Sequence, residues 1–288
     1  MPGKSRFVIA ETRIRTFFKQ NPKKVFTKTQ LLEVLEEQRA TWNIAPSTTD
    51  DKLINQLVTK GVLRKTELHS DGYLPSKELY VQDESSVLQI ATALAPKAYL
   101  SHYSAIWVNG LTTQIPKIIY VTFEQSKKPQ RNASLTQMGI DAAFAKPQRY
   151  TTASVRYGDF TFMVLNGGFT NRLGVHNLDG ISVTNVERTL IDITVRPGYA
   201  GGVSAVLEAY QNARGKTSLN KLVATLDTLD FIYPYFQAVG FYLERAGYQG
   251  KKLDELRERT KVFDFYLTYD IEEKDYATDW SLYFPKGL

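Results

Sequence analysis

Residues 47–61 read STTDDKLINQLVTKG and have the pattern of a short helix with a polar start and a glycine stop. Four apolar residues recur at the i, i+1, i+4, i+5 spacing of a helix that packs one face on a core. They are Leu53, Ile54, Leu57 and Val58. Ser47 or Thr48 is expected to cap the first turn, and Gly61 suits the left-handed position after the last turn. The stretch therefore predicts an amphipathic helix whose outward face is polar.

The segments on both sides of this helix predict the fold around it. Residues 7–19 have apolar side chains at helical spacing, and Thr27 is a suitable N-cap for a second amphipathic helix. Residues 62–68 and 78–81 have the pattern of strands, joined by a turn at residues 69–73. Helix, helix, turn, helix, strand, turn, strand is the order of a winged helix-turn-helix.

A polar junction with the sequence DESS at residues 83–86 marks the expected domain boundary. We predict an α+β chain, with a winged helix-turn-helix domain at residues 1–83 and a larger mixed α/β domain at residues 84–288. Within the second domain, residues 99–111 predict a compact helix that Ser101 caps.

The polar face of residues 47–61 is the candidate DNA-contacting surface. In a winged helix-turn-helix, the helix after the turn enters the major groove of double-stranded DNA and the hairpin contacts the neighbouring backbone. The predicted DNA-binding residues are Thr48, Thr49, Lys52, Asn55, Gln56 and Lys60 on the helix, with Lys65, His69 and Lys77 on or near the hairpin. Asp50 and Asp51 oppose this prediction, because carboxylates at the helix start repel phosphates. A winged helix that only contacts another protein is the alternative.

The charge distribution favours a polyanionic partner. The chain has 36 Lys and Arg against 30 Asp and Glu, and residues 97–176 hold nine basic against three acidic residues. Basic surfaces bind nucleic acid through phosphate contacts and counterion release. A second basic patch that extends the DNA footprint is predicted at Lys127, Lys128, Arg131, Lys146, Arg149, Arg156 and Arg172. Scattered solvated charge, or a patch that engages RNA or a nucleotide, is the alternative.

Composition excludes several classes of site. The chain has no cysteine, which excludes disulfides, thiolate metal sites and a cysteine nucleophile. His69, His102 and His176 are widely spaced, so a histidine-rich metal site is not expected. No apolar run reaches the length of a signal peptide or a membrane span. We expect a cytoplasmic protein without membrane contact, metal or cofactor.

Two short motifs carry residue types that catalysis or anion binding can use. As a general base, His102 needs a nucleophile and an orienting carboxylate, so a structural role at a helix start is preferred. Arg188 and Asp192 are four residues apart on a predicted helix and are expected to form an ion pair on its surface. The alternative for Arg188 is to bind a phosphate or to hold the two halves of the domain together.

An enzymatic alternative rests on residues near position 270. Asp264, followed by Glu272 and Lys274, matches the acid, Glu-x-Lys order of metal-dependent nucleases. In that chemistry carboxylates hold Mg²⁺ and the lysine polarises the attacking water. The pattern is short and frequent by chance, so we expect no catalytic activity. The alternative function is a metal-dependent, nuclease-like enzyme tethered to DNA by the winged helix.

Three segments of the second domain together resemble one known family. Residues 99–111 read YLSHYSAIWVNGL, residues 118–121 read IIYV, and residues 183–192 read VTNVERTLID. Pro197 and a glycine pair follow the third segment. These segments resemble the AbiEi antitoxins of the bacterial AbiE abortive-infection toxin–antitoxin systems. The resemblance covers nearly the whole chain.

The resemblance implies a function in transcription regulation and phage defence. In this family the winged helix binds inverted repeats at its own promoter and represses the toxin–antitoxin operon. The larger domain is needed to neutralise a nucleotidyltransferase-like toxin. The family is classed as type IV, in which neutralisation needs no stable complex. The implied partners are therefore double-stranded DNA and the toxin.

Overall fold

The computed structural model describes residues 6–71, 75–127 and 134–288, which fold into a mixed α/β architecture. In the N-terminal part, helices alternate with short strands. The elements are α1 (Arg6–Gln20), β1 (Val25–Thr27), α2 (Lys28–Gln38), α3 (Asp50–Thr59), β2 (Arg64–Asp71) and β3 (Lys77–Val81).

The rest of the chain adds strands to the sheet of the N-terminal part, and it also contains helices and a separate sheet. Its first half contains α4 (Val87–Thr92), β4 (Tyr99–Leu100), α5 (His102–Val108), β5 (Ile118–Glu124), α6 (Gln137–Phe144), β6 (Ser154–Tyr157), β7 (Phe160–Gly167), β8 (Val175–Leu178), β9 (Ile181–Thr184) and α7 (Val186–Val195). Its second half contains α8 (Val203–Asn212), α9 (Leu219–Leu229), α10 (Tyr235–Arg245), α11 (Lys251–Arg257), β10 (Phe265–Tyr266), β11 (Lys274–Ala277) and β12 (Leu282–Pro285). Strands β4 to β9 join the sheet of the N-terminal part, and β10, β12 and β11 form the separate sheet. In the described ranges, no helix is both long and apolar enough to cross a membrane.

The first three helices pack around an aromatic core. Phe18 of α1 meets the ring of Phe26 edge to face, with the ring centroids 5.7 Å apart, and Trp42 is buried beside it. Helix α3 contributes Leu53 and Leu57 to this cluster, as its apolar spacing predicts. The polar side of α3 is thereby turned outward.

Local capping signals define two of the predicted helix ends. Thr27 and Gln30 cap α2 reciprocally: the Gln30 N–H donates to Thr27 Oγ1 at 3.3 Å, and the Thr27 N–H donates to Gln30 Oε1 at 3.1 Å. After α3, Gly61 has a φ of +62°, the left-handed conformation that a glycine adopts without a Cβ clash. Both predictions are confirmed.

The predicted cap of α3 is wrong by one or two residues. Thr49, not Ser47 or Thr48, is the N-cap, and its Oγ1 accepts a hydrogen bond from the Lys52 N–H at 3.4 Å. The guanidinium of Arg39 donates to the Thr48 carbonyl oxygen at 2.6 Å, which holds Thr48 in the turn before the helix. Arg39, the residue that follows α2, therefore contacts the turn just before the cap, and no local pattern indicates this contact.

Within the described residues, the large sheet has nine strands in the order β1-β3-β2-β6-β7-β5-β4-β9-β8. Strand β2 pairs with β3 over its first part and then with β6, where His69, Ser70 and Asp71 lie opposite Arg156, Val155 and Ser154. The turn expected at residues 69–73 is thus wrong for its first three residues, because β6 supplies partners that extend the strand. Gly72 and Tyr73 lie outside the described residues.

Strand pairing and a shared apolar cluster join the two parts of the chain. Val25, Leu68 and Val81 from the N-terminal part are buried in one cluster with residues that include Leu88 and Val121. A division between residues 83 and 84 stays a prediction. The two parts nevertheless share both a sheet and a core.

The predicted helix at residues 99–111 begins later than expected. Tyr99 and Leu100 form β4, which pairs antiparallel with β5 and parallel with β9, and α5 starts only at His102. Ser101 makes no capping bond; its Oγ lies 2.6 Å from Thr122 Oγ1. Both residues of β4 are fully buried between two strands, and this tertiary environment overrides the helical pattern.

Gly240 provides a test of core packing. It lies in α10 against the buried Trp280, and a Cβ at this position would overlap the indole ring. Gly240→Ala is expected to lower the free energy of unfolding by about 1–3 kcal/mol, the usual cost of overpacking. Urea denaturation measures the free energy of unfolding. Gly168→Ala, where a Cβ meets open space, is the control and is expected to change stability by less than about 0.5 kcal/mol. Equal stability of the two variants would contradict the packing.

Candidate functional site

The outward face of α3 presents a row of polar side chains. Lys52, Asn55, Thr59 and Lys60 are exposed, and Gln56 is half-exposed. Lys52 and Gln56 are four residues apart and therefore lie on the same side of the helix. Thr48 is half-exposed and Thr49 is exposed at the helix start, where Thr49 is used as the cap. Six of the nine predicted DNA-binding residues thus lie on or beside one helix face.

The two acidic residues at the start of α3 are each paired with a cation, one from α2 and one from the residue that follows α2. Arg39 forms an ion pair with Asp50, and Lys28 Nζ lies 3.0 Å from Asp51 Oδ1. The hydrogen bond from Lys28 to Asp51 raises the pKa of the lysine. Arg39 also donates to the carbonyl oxygens of the turn between the two helices. The local repulsion toward phosphates is therefore offset by neighbouring positive charge.

Sequence reasoning missed Lys28 and Arg39 as parts of this site. Arg39 is eleven residues from Asp50, and no helical or strand spacing connects them. Their contribution becomes visible only when the turn brings α2 and α3 together.

The three predicted hairpin residues have different environments. Lys65 forms an ion pair with Glu78. The hydrogen bond from Lys65, aided by one from Tyr80, lowers the pKa of Glu78. Lys77 is half-buried, its Nζ donates to the Leu94 carbonyl oxygen at 2.7 Å, and desolvation lowers its pKa. Lys77 is therefore directed toward the second part of the chain.

His69 connects the hairpin to the second basic segment. It is exposed on β2 and lies directly opposite the exposed Arg156 of β6. Residues directly opposite each other in a sheet project from the same face. Nearby, the guanidinium of Arg64 donates to the Tyr157 hydroxyl at 3.2 Å. Arg156 thus extends the basic surface of the hairpin.

The remaining members of the predicted second patch do not share one environment. Lys127, Lys146 and Arg149 are exposed. Arg172 hydrogen-bonds to the Lys97 carbonyl oxygen and to Ser182 Oγ, and its guanidinium lies 5.5 Å from the centre of the Tyr99 ring. Arg172 therefore has a structural position between loops. Lys128 and Arg131 lie outside the described residues.

Arg188 and Asp192 form a buried ion pair instead of the surface pair expected from their spacing. Arg188 Nε lies 2.7 Å from Asp192 Oδ1, and Arg188 also donates to the Leu173 carbonyl oxygen at 2.8 Å. Burial acts to lower the pKa of Arg188, but the charge of Asp192 and its hydrogen bond outweigh this effect and raise the pKa. The pair holds the loop before β8 against α7, so Arg188 does hold two segments together.

His102 is strained and uncharged beside this ion pair. Its φ is +50°, a left-handed conformation that is uncommon for residues other than glycine. Its Nδ1 lies 2.8 Å from Ser101 Oγ, and its ring packs edge to face on Tyr199. Burial lowers the pKa of His102 to about 4, with Asp192 acting in the opposite direction. The imidazole is therefore neutral at pH 7.

Two residues of the nuclease alternative, Asp264 and Lys274, are engaged with aromatic neighbours. Asp264 accepts a hydrogen bond from the Tyr276 hydroxyl at 2.5 Å, and Lys274 Nζ lies 4.6 Å from the centre of the Tyr283 ring. Glu273 pairs with Lys286 at 3.4 Å. Among the residues that the structure describes, no group of three or more His, Asp or Glu side chains is arranged to hold a metal ion. The nuclease alternative therefore stays a prediction without a supporting cluster.

No family model and no curated protein sequence matches the chain. Its fold is similar to the crystal structure of the Rv2827c protein from Mycobacterium tuberculosis, with a TM-score of 0.55 and 16% sequence identity. The similarity covers 96% of this chain and 91% of that chain. At this identity the likeness shows the fold alone. Because it spans nearly the full length, it includes both the N-terminal helices and the large sheet.

The environment of His102 predicts a pH dependence of stability. Below pH about 6.5 the imidazole binds a proton in the unfolded chain, whereas in the folded chain it does so only near pH 4. The unfolded state therefore binds more protons in this window, and the free energy of unfolding decreases as the pH falls from about 6.5 toward 4.

Chemical denaturation at pH 7 and pH 4.5 measures this loss. His102→Asn is the matched variant, because asparagine tolerates a positive φ and does not titrate. The wild type is expected to lose more stability than the variant between the two pH values. Equal losses would show that His102 is not buried in its neutral form.

Proposed function

We propose that this chain is an AbiEi-type antitoxin and transcriptional repressor. Its N-terminal part acts as a winged helix-turn-helix that binds double-stranded DNA at its own promoter. Its larger part neutralises a nucleotidyltransferase-like toxin without a stable complex. The observation that carries the DNA-binding proposal is the exposed polar face of α3, whose acidic start is offset by Arg39 and Lys28.

The topology of the N-terminal part supports a winged helix-turn-helix. Helices α2 and α3 are joined by a turn that Arg39 clamps, and the hairpin of β2 and β3 follows α3. Strand β1, which precedes α2, pairs antiparallel with β3 and completes a three-stranded sheet beside the helices. In a winged helix-turn-helix, the helix in the position of α3 enters the major groove, so we assign this role to α3.

The side chains on α3 suit direct reading of base edges. Asn55 and Gln56 can each both donate to and accept from an adenine edge, and Lys52 can donate to guanine. Lys60 at the end of α3 and His69 on the hairpin are positioned for phosphate contacts, which supply affinity without sequence preference. Arg156 adds a phosphate contact from the second part of the chain.

The antitoxin part of the proposal rests on the family resemblance and on how its segments pack. Asn109 of the first segment donates through Nδ2 to the Thr184 carbonyl oxygen at 2.9 Å and to Thr189 Oγ1 at 3.2 Å in the third segment. The quoted segments thus form one structural core.

Promoter binding tests the role of α3. Fluorescence anisotropy measures the affinity of the full-length chain for the DNA upstream of its own gene. Lys52→Ala combined with Gln56→Ala is expected to weaken binding by at least about tenfold, because each good base contact contributes about 1–3 kcal/mol. Lys251→Ala, an exposed lysine on α11, is the control. Unchanged affinity of the double variant would favour a protein-contact role for the winged helix.

The salt dependence of the same binding reaction tests Arg156. If Arg156 contacts a phosphate, Arg156→Gln reduces the slope of log affinity against log salt concentration by about one. Lys251→Gln has the same change in charge and is expected to leave the slope unchanged. An unaltered slope for Arg156→Gln would restrict the DNA footprint to the N-terminal part.

A further inference from the structure

A cavity of about 580 Å³ lies near the carboxyl ends of the parallel strands β5 and β7. Thr122 and Gly167 from these strands line it, together with α7 and the first residue of α5. In open α/β sheets, ligands bind in the crevice beyond the carboxyl ends of the strands. The volume is in the range of small-molecule sites.

The cavity carries an excess of positive charge. Arg149, Arg188 and Arg196 line it, whereas Asp192 is the carboxylate that faces them. Arg188 is paired with Asp192, and His102 adds no charge at pH 7. In the described ranges, neither Arg149 nor Arg196 has an ion-pair or hydrogen-bond partner for its guanidinium. Two guanidinium groups are therefore available to an anion.

Exposed aromatic rings accompany these arginines. Tyr150 is 59% exposed and Phe169 is 49% exposed, and both line the cavity. The Tyr150 ring packs edge to face on the buried Tyr199, with the ring centroids 5.3 Å apart. Large exposed rings beside a concave surface are typical of sites that stack a planar ligand.

The walls of the cavity are held in place by partly buried hydrogen bonds. The Thr151 N–H donates to the Tyr199 hydroxyl at 2.8 Å, which fixes the segment that carries Arg149 and Tyr150. Thr170 of another wall is held by Glu124, which does not line the cavity and accepts hydrogen bonds from the N–H groups of Thr170 and Arg172 at 3.0 and 3.1 Å. The left-handed backbone of His102 adds local strain, which is typical of functional sites. The site is therefore largely pre-formed.

We propose that this cavity binds a nucleoside phosphate, with the phosphate on Arg149 and Arg196 and the base stacked on Tyr150 or Phe169. Guanidinium groups match phosphate oxygens in geometry and charge. Aromatic side chains stack on nucleobases of any sequence. A simple anion would make no use of the exposed rings, and an apolar ligand would leave the guanidinium groups unpaired. The proposal is independent of promoter binding by α3.

Isothermal titration calorimetry on the full-length chain tests this site. The probes are the four ribonucleoside triphosphates, their nucleosides and inorganic pyrophosphate. Nucleotides are expected to bind. Nucleosides lack the phosphate and pyrophosphate lacks the base, so each is expected to bind at least about tenfold more weakly than the nucleotides. Arg196→Gln and Tyr150→Ala are each expected to weaken nucleotide binding by about tenfold. Arg13→Gln, an exposed arginine on α1, is the control for charge.

Three results would overturn the proposal. They are absence of nucleotide binding at millimolar concentration, pyrophosphate binding as tight as that of nucleotides, and nucleotide binding that Arg196→Gln and Tyr150→Ala leave unchanged. Thermal unfolding of each variant checks that it is folded. The promoter affinity of Arg196→Gln, measured in parallel, is expected to equal that of the wild type, so that loss of the cavity ligand and loss of DNA binding are distinguishable.

Discussion

The pairing of β2 with two partners is the interaction on which the arrangement of the whole chain depends. Its first residues complete the hairpin with β3, and its last residues form a ladder with β6. The backbone hydrogen bonds of one strand thus fix the position of α3 relative to the large sheet. Val25, Leu68 and Val81 add apolar burial to the same junction. Burial of apolar area and ladder hydrogen bonds therefore both stabilise the junction.

Features set by neighbouring residues could be predicted from the sequence, whereas features set by distant contacts could not. The Thr27 cap, the Gly61 stop and the apolar face of α3 each depend on a few consecutive residues, and the structure agrees with them. Strand β4 pairs with β9, and the last residues of β2 pair with β6. In both pairings the partner strand is more than fifty residues away along the chain. Their own sequences are too short to indicate the partner.

In the candidate sites, too, features set by neighbouring residues could be predicted and features set by distant contacts could not. The exposed residues of α3 follow from helical periodicity, so the polar face was predictable. The ion pair of Asp50 with Arg39 could not be predicted, because it depends on the angle at which two helices meet. The spacing of Arg188 and Asp192 predicted their contact but not their burial, which comes from the loop that covers them. The cavity beside them combines residues from six or more separate segments, and no sequence motif connects these.

The double pairing of β2 also has a consequence for truncated forms of the protein. A winged helix that ends in its own hairpin can be exchanged between proteins as an independent module. In this chain, removal of the N-terminal part would leave β6 as an open sheet edge and expose the apolar residues that Leu68 and Val81 cover. Open edges with apolar neighbours promote intermolecular strand pairing and aggregation. The N-terminal part therefore covers the edge and the apolar residues of the larger sheet, and the second part is expected to aggregate when it is produced alone.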